Sequence, residues 1–429
     1  MKKIIRLCIA FAAAFILFPS CVKKQENVVI EFWTHEDANR QKLEDRYISE
    51  FTENHPNVTV NVTRQSSSKL IELLQTAFAA GKGPTMFNTI INEEYPYIAA
   101  GRVAPVNYKA AGYKNADAVT AAYADHMLEP VTVNGQVYGL PLELTNWCVY
   151  LNKKIFREAG FDPEKDAPKT WEDVMSISQK LALRDGDILK RRGFDFRYGY
   201  YLETLVPLAE QLGGQLISDD DKEAIVGKDA WIAVLSYLKQ WGPKGLNLGS
   251  PTYKNAHSLF NADNNDVTMC LSGLYQEARI RNQNPNFYDS GDWMIIPYPK
   301  FQNAVKDVAA CYYGHYYMVN ADATKAEQEA SWQLISYMLS HGEEYLSEVN
   351  IVQPTLALLN SKTFKDMPYS EVFANDLNRA HIVYYGAASA SIQSALKTAL
   401  QNVMLGDASP ETVYEQLKKT VQDLIDEQK

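Results

Sequence analysis

With 429 residues, the chain is long for a single core and comfortable for two α/β lobes. Apolar residues make up 46% and charged ones 22%, ordinary proportions for a soluble globular protein. The formal net charge of −10 disfavours nucleic acids and other polyanions as partners through long-range repulsion.

The chain opens on Lys2, Lys3 and Arg6 and an apolar run over 7–18, too short for a comfortable transmembrane helix. Cys21 and a polar stretch follow. This looks like a bacterial lipoprotein leader: a signal peptide over 1–20, cleavage before Cys21 so that its thiol can be lipidated, and a tether over 21–27. Phe18 and Pro19 stand where such leaders usually carry smaller residues, and an ordinary secretory signal ending near a cysteine is the other reading. No later apolar run is long enough to span a bilayer, so the rest is expected to be soluble and extracytoplasmic. Cys148, Cys270 and Cys311, widely spaced in apolar runs, suit buried free thiols better than a disulfide framework or a zinc site.

From Val28, the run Val-Val-Ile-Glu-Phe-Trp reads as an opening strand. A helix over 39–54 follows, with Leu43, Tyr47, Ile48 and Phe51 on one face. His55-Pro56 stops it, and Val58-Thr59-Val60-Asn61-Val62 alternates as the next strand. Ser66-Ser67-Ser68 leads into a helix over 70–80, with Ser68 as its N-cap. Residues 81–84 break that helix before a strand over 86–91. The β-α-β-α-β rhythm predicts a mostly parallel sheet with helices on both faces.

Gly139-Leu140-Pro141 then reads as a turn and short strand, and residues 147–151 as a strand feeding a helix over 153–159. Gly160 stops that helix, and Lys169-Thr170-Trp171-Glu172-Asp173 opens the next. Leu212-Gly213-Gly214 reads as a glycine C-cap. An amphipathic helix over 230–242 carries Trp231, Val234, Leu235, Leu238 and Trp241 at helical spacing. Strands over 267–271 and 293–299, a second strand-like crossing over 312–320 and a helix over 325–340 follow, and helices close the chain.

The order of these blocks resembles the extracellular solute-binding proteins of ABC importers, the family that includes the maltose-binding protein. The likeness is carried by the opening strand ending in Phe32-Trp33, by Phe51, His55-Pro56, Val58 and Val60, and by Ala79, Gly81 and Pro84. Gly101, Pro105, the turn and strand over 260–269, and the 139–173 region also carry it. Thr85-Met86-Phe87-Asn88 lacks the Asp that the family usually has after Pro84. The resemblance implies an α/β, two-lobed periplasmic-binding-protein-like fold (type II) with a ligand cleft between lobes joined by hinge crossings. Residues 28–142 and 312–345 would form one lobe, 143–311 and 346–429 the other.

In that family the solute contacts loops at the carboxyl ends of strands, as open α/β sheets favour. A sugar needs aromatic faces for its C–H surfaces and fixed polar groups for its hydroxyls. Trp33, His35 and Glu36 end the first strand, where Trp33 either meets the ligand or fills the sheet–helix junction. Ser66 and Ser67 either offer hydroxyls to a ligand or serve the helix start. Asn88 and Thr89 end the third strand. Glu143, Asn146 and Trp147 lie at the first crossing, with hinge packing as the other role for Trp147. Gly273 and Tyr275 follow the strand at 267–271. Tyr312, Tyr313, Gly314 and His315 form the densest cluster, and Tyr384-Tyr385 would add a platform.

Asp219-Asp220-Asp221 lacks the alternating ligands of a calcium loop, and His35-Glu36 lacks the second His of a zinc protease. No nucleophile elbow, P-loop or dinucleotide fingerprint is present. The expected activity is therefore binding, not catalysis, with no cofactor or metal. The chain would capture a sugar or oligosaccharide by hinge closure and deliver it to the transmembrane subunits of an ABC permease, as a lipid-anchored monomer. A secreted carbohydrate-active enzyme, a sensor's ligand-presenting subunit, and the same fold holding a polyamine or peptide are the alternatives.

Overall fold

The computed structural model describes residues 27–427 apart from 92, 126, 197–200, 253–255, 265 and 382–384. The leader and Cys21 therefore lie outside the described residues.

Two five-stranded sheets organise the chain. In the first, Val28–His35 pairs in parallel with Val58–Gln65 and Met86–Ile90. The return strand His315–Val319 runs antiparallel to Met86–Ile90 and to Leu140–Pro141, so it alone opposes the common direction of the other four strands, and the expected mostly parallel sheet holds apart from that insertion. The parallel rhythm holds for local β-α-β units, whereas the last strands arrive by long-range crossovers. In the second sheet, Cys148–Asn152 lies between Trp293–Ile296 and Val267–Ser272, and Ile188–Asp195 and Leu183–Asp185 complete the far edge.

Each sheet has its own apolar interior. Ile30, Phe32, Leu43, Phe51, Phe87 and Leu140 pack with Tyr316–Val319 strand residues and with Trp332 and Ile335 of the helix Lys325–Leu339. Around the second sheet, Val149, Leu151, Trp171, Phe194, Trp231 and Trp241 pack with the C-terminal helices Ser389–Met404 and Pro410–Asp426. On its other face lie Tyr150, Phe260, Trp293 and Phe373, together with the buried Cys148 and Cys270. Capping boxes start two of the helices, Thr170 with Asp173 and Thr324 with Glu327, each satisfying amide groups that a helix start leaves open.

Between the two sheets runs a small third one. Leu144–Asn146 pairs antiparallel with Ala309–Tyr313, opposing Asn146 to Cys311 and Leu144 to Tyr313, and Ala380–His381 adds a parallel edge. Side chains anchor these crossings on the second sheet's side. Asp376 accepts the Tyr298 N–H at 2.8 Å, and Gln211 donates to the carbonyls of Pro299 and Val308 at 3.0 and 2.8 Å. Both satisfy loop backbone that would otherwise be buried without partners.

Candidate functional site

The first strand delivers His35 to its carboxyl end, and Asp37 caps the helix that follows, accepting the amides of Asn39 and Arg40 at 3.0 and 3.1 Å. That cap sets the helix so that Arg40 folds back against the end of the strand. Its guanidinium donates to Thr34 Oγ1 at 3.1 Å and to the His35 carbonyl at 3.2 Å, and its Nη2 lies 3.0 Å from His35 Nδ1. Arg40 Nε pairs with Glu44 at 2.9 Å, both side chains 1% exposed, and Glu44 accepts the Tyr317 hydroxyl at 2.7 Å. From the end of the third strand, Asn88 Oδ1 accepts the His35 amide and its Nδ2 approaches His35 Nδ1, each at 3.1 Å.

At the hinge, Gly314 separates Ala309–Tyr313 from His315–Val319. Its N–H donates to the Glu143 carbonyl at 3.3 Å, and a Cβ here would overlap the Glu143 side chain. Glycine thus leaves room for a carboxyl group to lie across the hinge. Burial pushes that carboxyl up to about 7, with Arg40 and Arg279 pulling down and Asp37 and Glu44 pushing up. The next residue, His315, is buried, and its imidazole stacks on that of His35 with centroids 3.5 Å apart and planes 14° off parallel. Burial foremost, then Arg40, holds both rings well below the usual histidine range. Stacked imidazolium ions would repel each other, so geometry and electrostatics agree on two neutral rings.

Across from them stands the helix Tyr275–Gln283. Its entry needs Gly273, where a Cβ would meet Thr145 of the hinge strand and the Tyr275 ring. Arg279 lies over the Tyr275 ring at 4.5 Å and reaches to 3.6 Å from Asp37. Asn282 donates to Asn39 at 2.6 Å. The second-sheet side therefore touches the first turn of the helix Ala38–Asn54, directly beside His35 and Glu143.

Of the residues singled out from the sequence, His35, Asn88, Glu143, Gly314 and His315 converge here, with Gly273 and Tyr275 on the facing side. Trp33 is partly buried against the first sheet's apolar cluster, and Glu36 is exposed. Thr89 is buried at the third strand's end. Trp147 is a correction: it is fully buried in the second sheet's core with Val149 and Leu151, because the chain has already left the hinge there, and an indole's area is best used in a core. Asn146 is a second correction. Its amide turns to Cys148 Sγ at 3.3 Å, and it lines a nook with Val352, Phe364 and Phe373.

Exposed Ser66, rather than Ser68, stands at the N-cap of the helix Ser67–Ala79, and its side chain makes no capping bond. The side chains of Ser67, Tyr312 and Tyr313, and all of Tyr384, lie outside the described residues. Sequence reasoning passed over Asp37, Asn39, Arg40, Arg279 and Asn282. Only Asp37 had a local signal, an N-cap residue directly after a strand.

The described residues contain no group of three or more His, Cys, Asp or Glu side chains placed to hold a metal ion, and no helix among them is long and apolar enough to cross a membrane.

The chain is 25% identical over 280 residues to a lactose-binding protein of Rhizobium radiobacter, covering 65% of this chain and 63% of that relative. Among solved structures, its fold matches a solute-binding protein of Thermotoga lettingae bound to α-D-tagatose, with a TM-score of 0.79 and 18% identity, over 93% of this chain and all of that one. It also matches the maltose/maltodextrin-binding domain of Bdellovibrio bacteriovorus bound to maltotriose, with a TM-score of 0.77, 18% identity and the same coverage. Residues 46–347 fit the family model described as bacterial extracellular solute-binding protein, and the chain belongs to that family.

Proposed function

We propose that this protein captures a neutral sugar or oligosaccharide in the cleft between its two sheets, closes over it by hinge motion, and delivers it to an ABC permease. The lobes in this reading are residues 28–142 with 312–345, and 143–311 with 346–429. Cys21 carries a lipid anchor that holds the protein, as a monomer, on the outer side of a membrane. Within the cleft, His35, Glu143, Tyr275 and His315 contact the solute, with Asn88 buried behind His35 and Gly273 and Gly314 admitting neighbouring groups.

The observation that carries this reading is the wall built by His35, His315 and Glu143 around the hinge. It offers two neutral imidazoles and a carboxyl group poised near neutrality, a surface of hydrogen-bonding groups with little net charge. The cationic groups nearby are engaged, Arg40 with Glu44 and Arg279 with Asp37. A phosphorylated solute would meet a carboxyl group here and, among the described residues of the wall, no uncommitted cation, whereas sugar hydroxyls pair with every group of the wall. Closure follows if the solute binds the closed arrangement better than the open one.

Titration calorimetry with lactose, maltotriose and a phosphorylated sugar, with the mixtures then examined for products, tests the reading. Saturable binding of a neutral saccharide, returned unchanged, supports it. Release of shorter sugars would make the protein a carbohydrate-active enzyme, and binding of the phosphorylated compound alone would overturn the neutral-sugar assignment.

A further inference from the structure

The ring of His35 is held in a way that fixes which of its nitrogens carries the proton. Its Nδ1 faces two donors, Arg40 Nη2 at 3.0 Å and Asn88 Nδ2 at 3.1 Å. Arg40 has no acceptor to offer. The Asn88 amide is oriented independently, because its Oδ1 already takes the His35 backbone N–H. An N–H at Nδ1 would point at both donors, so Nδ1 accepts and the proton sits on Nε2. No described residue accepts from that Nε2–H, and His35 keeps part of its surface open.

We propose that Arg40 and Asn88 are positioning residues that lock His35 as its Nε2–H tautomer, so that the cleft presents a fixed hydrogen-bond donor to the solute. The proposal rests on reading the cleft as the solute site. Arg40 needs no contact with the solute for this. It is buried with Glu44 as counter-charge, and Tyr317 donates its hydroxyl hydrogen bond to Glu44, so the guanidinium that faces His35 is itself held by buried partners. The stacked His315 is carried on the locked ring, and its Nδ1 is buried with no hydrogen-bond partner among the described residues. The pair therefore offers the solute one fixed donor and one group awaiting a partner.

This selects ligand chemistry. Hydroxyl, ether and carbonyl oxygens accept from the Nε2–H. An ammonium group has no lone pair to accept with, so a polyamine gains nothing from His35.

Long-range proton–nitrogen correlation spectra of 15N-histidine-labelled protein without solute test the lock, with His35→Ala assigning the signals among the seven histidines. The wild type is expected to show His35 with a bare Nδ1 and a protonated Nε2. Removing both donors, in Arg40→Gln/Asn88→Ala, is expected to give a mixture of tautomers. Asn88→Ala alone leaves the Arg40 guanidinium against Nδ1 and is expected to keep the Nε2–H form, so it serves if the double variant does not fold. A wild-type Nδ1–H tautomer, a wild-type mixture, or an Nδ1–H tautomer in Asn88→Ala would overturn the proposal. Spermidine should leave the His35 signals in place, and a shift on adding it would count against the selection argument. Because the tautomer is read without solute, failure of every saccharide to bind would sink the functional reading and leave the lock standing.

Discussion

His35 and His315 lie far apart in the sequence, yet their imidazoles lie face to face with centroids 3.5 Å apart. One ends the first strand of the first sheet; the other opens the strand His315–Val319, one glycine beyond the hinge strand Ala309–Tyr313. The stack therefore couples the floor of the cleft to the hinge, and Glu143, on the facing hinge segment, completes the corner.

Glu143 makes stability depend on pH. Its carboxyl rises from 4.5 to about 7 in the fold, so its contribution is fully present below 4.5 and fades as pH rises through about 7. One pKa unit corresponds to roughly 1.4 kcal/mol, which caps the effect at about 3.5 kcal/mol. The two histidines, held below their usual value, act in the other direction: their contribution is present above about 6.5 and is lost as pH falls through their lowered folded values. Urea unfolding of the wild type is expected to show a decline in stability between pH 5 and 8 that Glu143→Gln loses. An unchanged slope would place the titrating group elsewhere.

Gly314 is required by a neighbour's volume and not by its own backbone angles. Gly314→Ala sets a methyl group against the Glu143 side chain and is expected to cost roughly 1–3 kcal/mol through overpacking. Adding Glu143→Ala should return much of that loss, since residues in contact couple non-additively. Equal losses in the single and double variants would contradict the assigned clash.

Asp37 and Arg279 bridge the two sides at 3.6 Å while partly open to solvent. Such a pair contributes about 0.2–1 kcal/mol and weakens with salt. Asp37→Asn should therefore weaken solute affinity by no more than about fivefold through this pair, with a flatter salt dependence than the wild type. Calorimetry across a salt series measures it, and an unaltered salt dependence would remove the pair from the closure mechanism.

Trp147 separates packing from binding. Its truncation to alanine is expected to cost about 3–5 kcal/mol, seen as a lower denaturant midpoint. Trp147→Phe, which keeps most of the buried area, should bind solute with the wild-type affinity. A large affinity loss in a stable Trp147→Phe protein would return this residue to the cleft.

The longer α/β elements of the first sheet, and the helices after Thr170 and Thr324, were legible because their signals are local: β-branched runs, helical spacing and helix stops. Strands such as Ile188–Asp195, with a charged, partly exposed first half, were not. That His35, Asn88, Glu143 and His315 come together was legible because strand ends and hinge crossings meet at one edge of an open sheet. Trp147 misled because residue type alone does not say which face of a strand is buried, and the switch from the hinge sheet to the second sheet occurs within one residue of it. Asn146 failed for the same reason. Arg40, Arg279 and Asn282 were invisible because their roles arise from pairings with residues far away in the sequence or from a buried counter-charge, and neither leaves a local pattern.

A thermal-shift panel of neutral saccharides, phosphorylated sugars, spermidine and peptides, run on wild type and on His315→Ala, tests the central claim most directly. A solute present at 100 times its dissociation constant adds roughly 2.7 kcal/mol of stability. A neutral saccharide should raise the wild-type melting temperature by several degrees, and His315→Ala should lose most of that rise. No rise with any saccharide, together with a clear one from spermidine, a peptide or a phosphorylated sugar, would contradict the account.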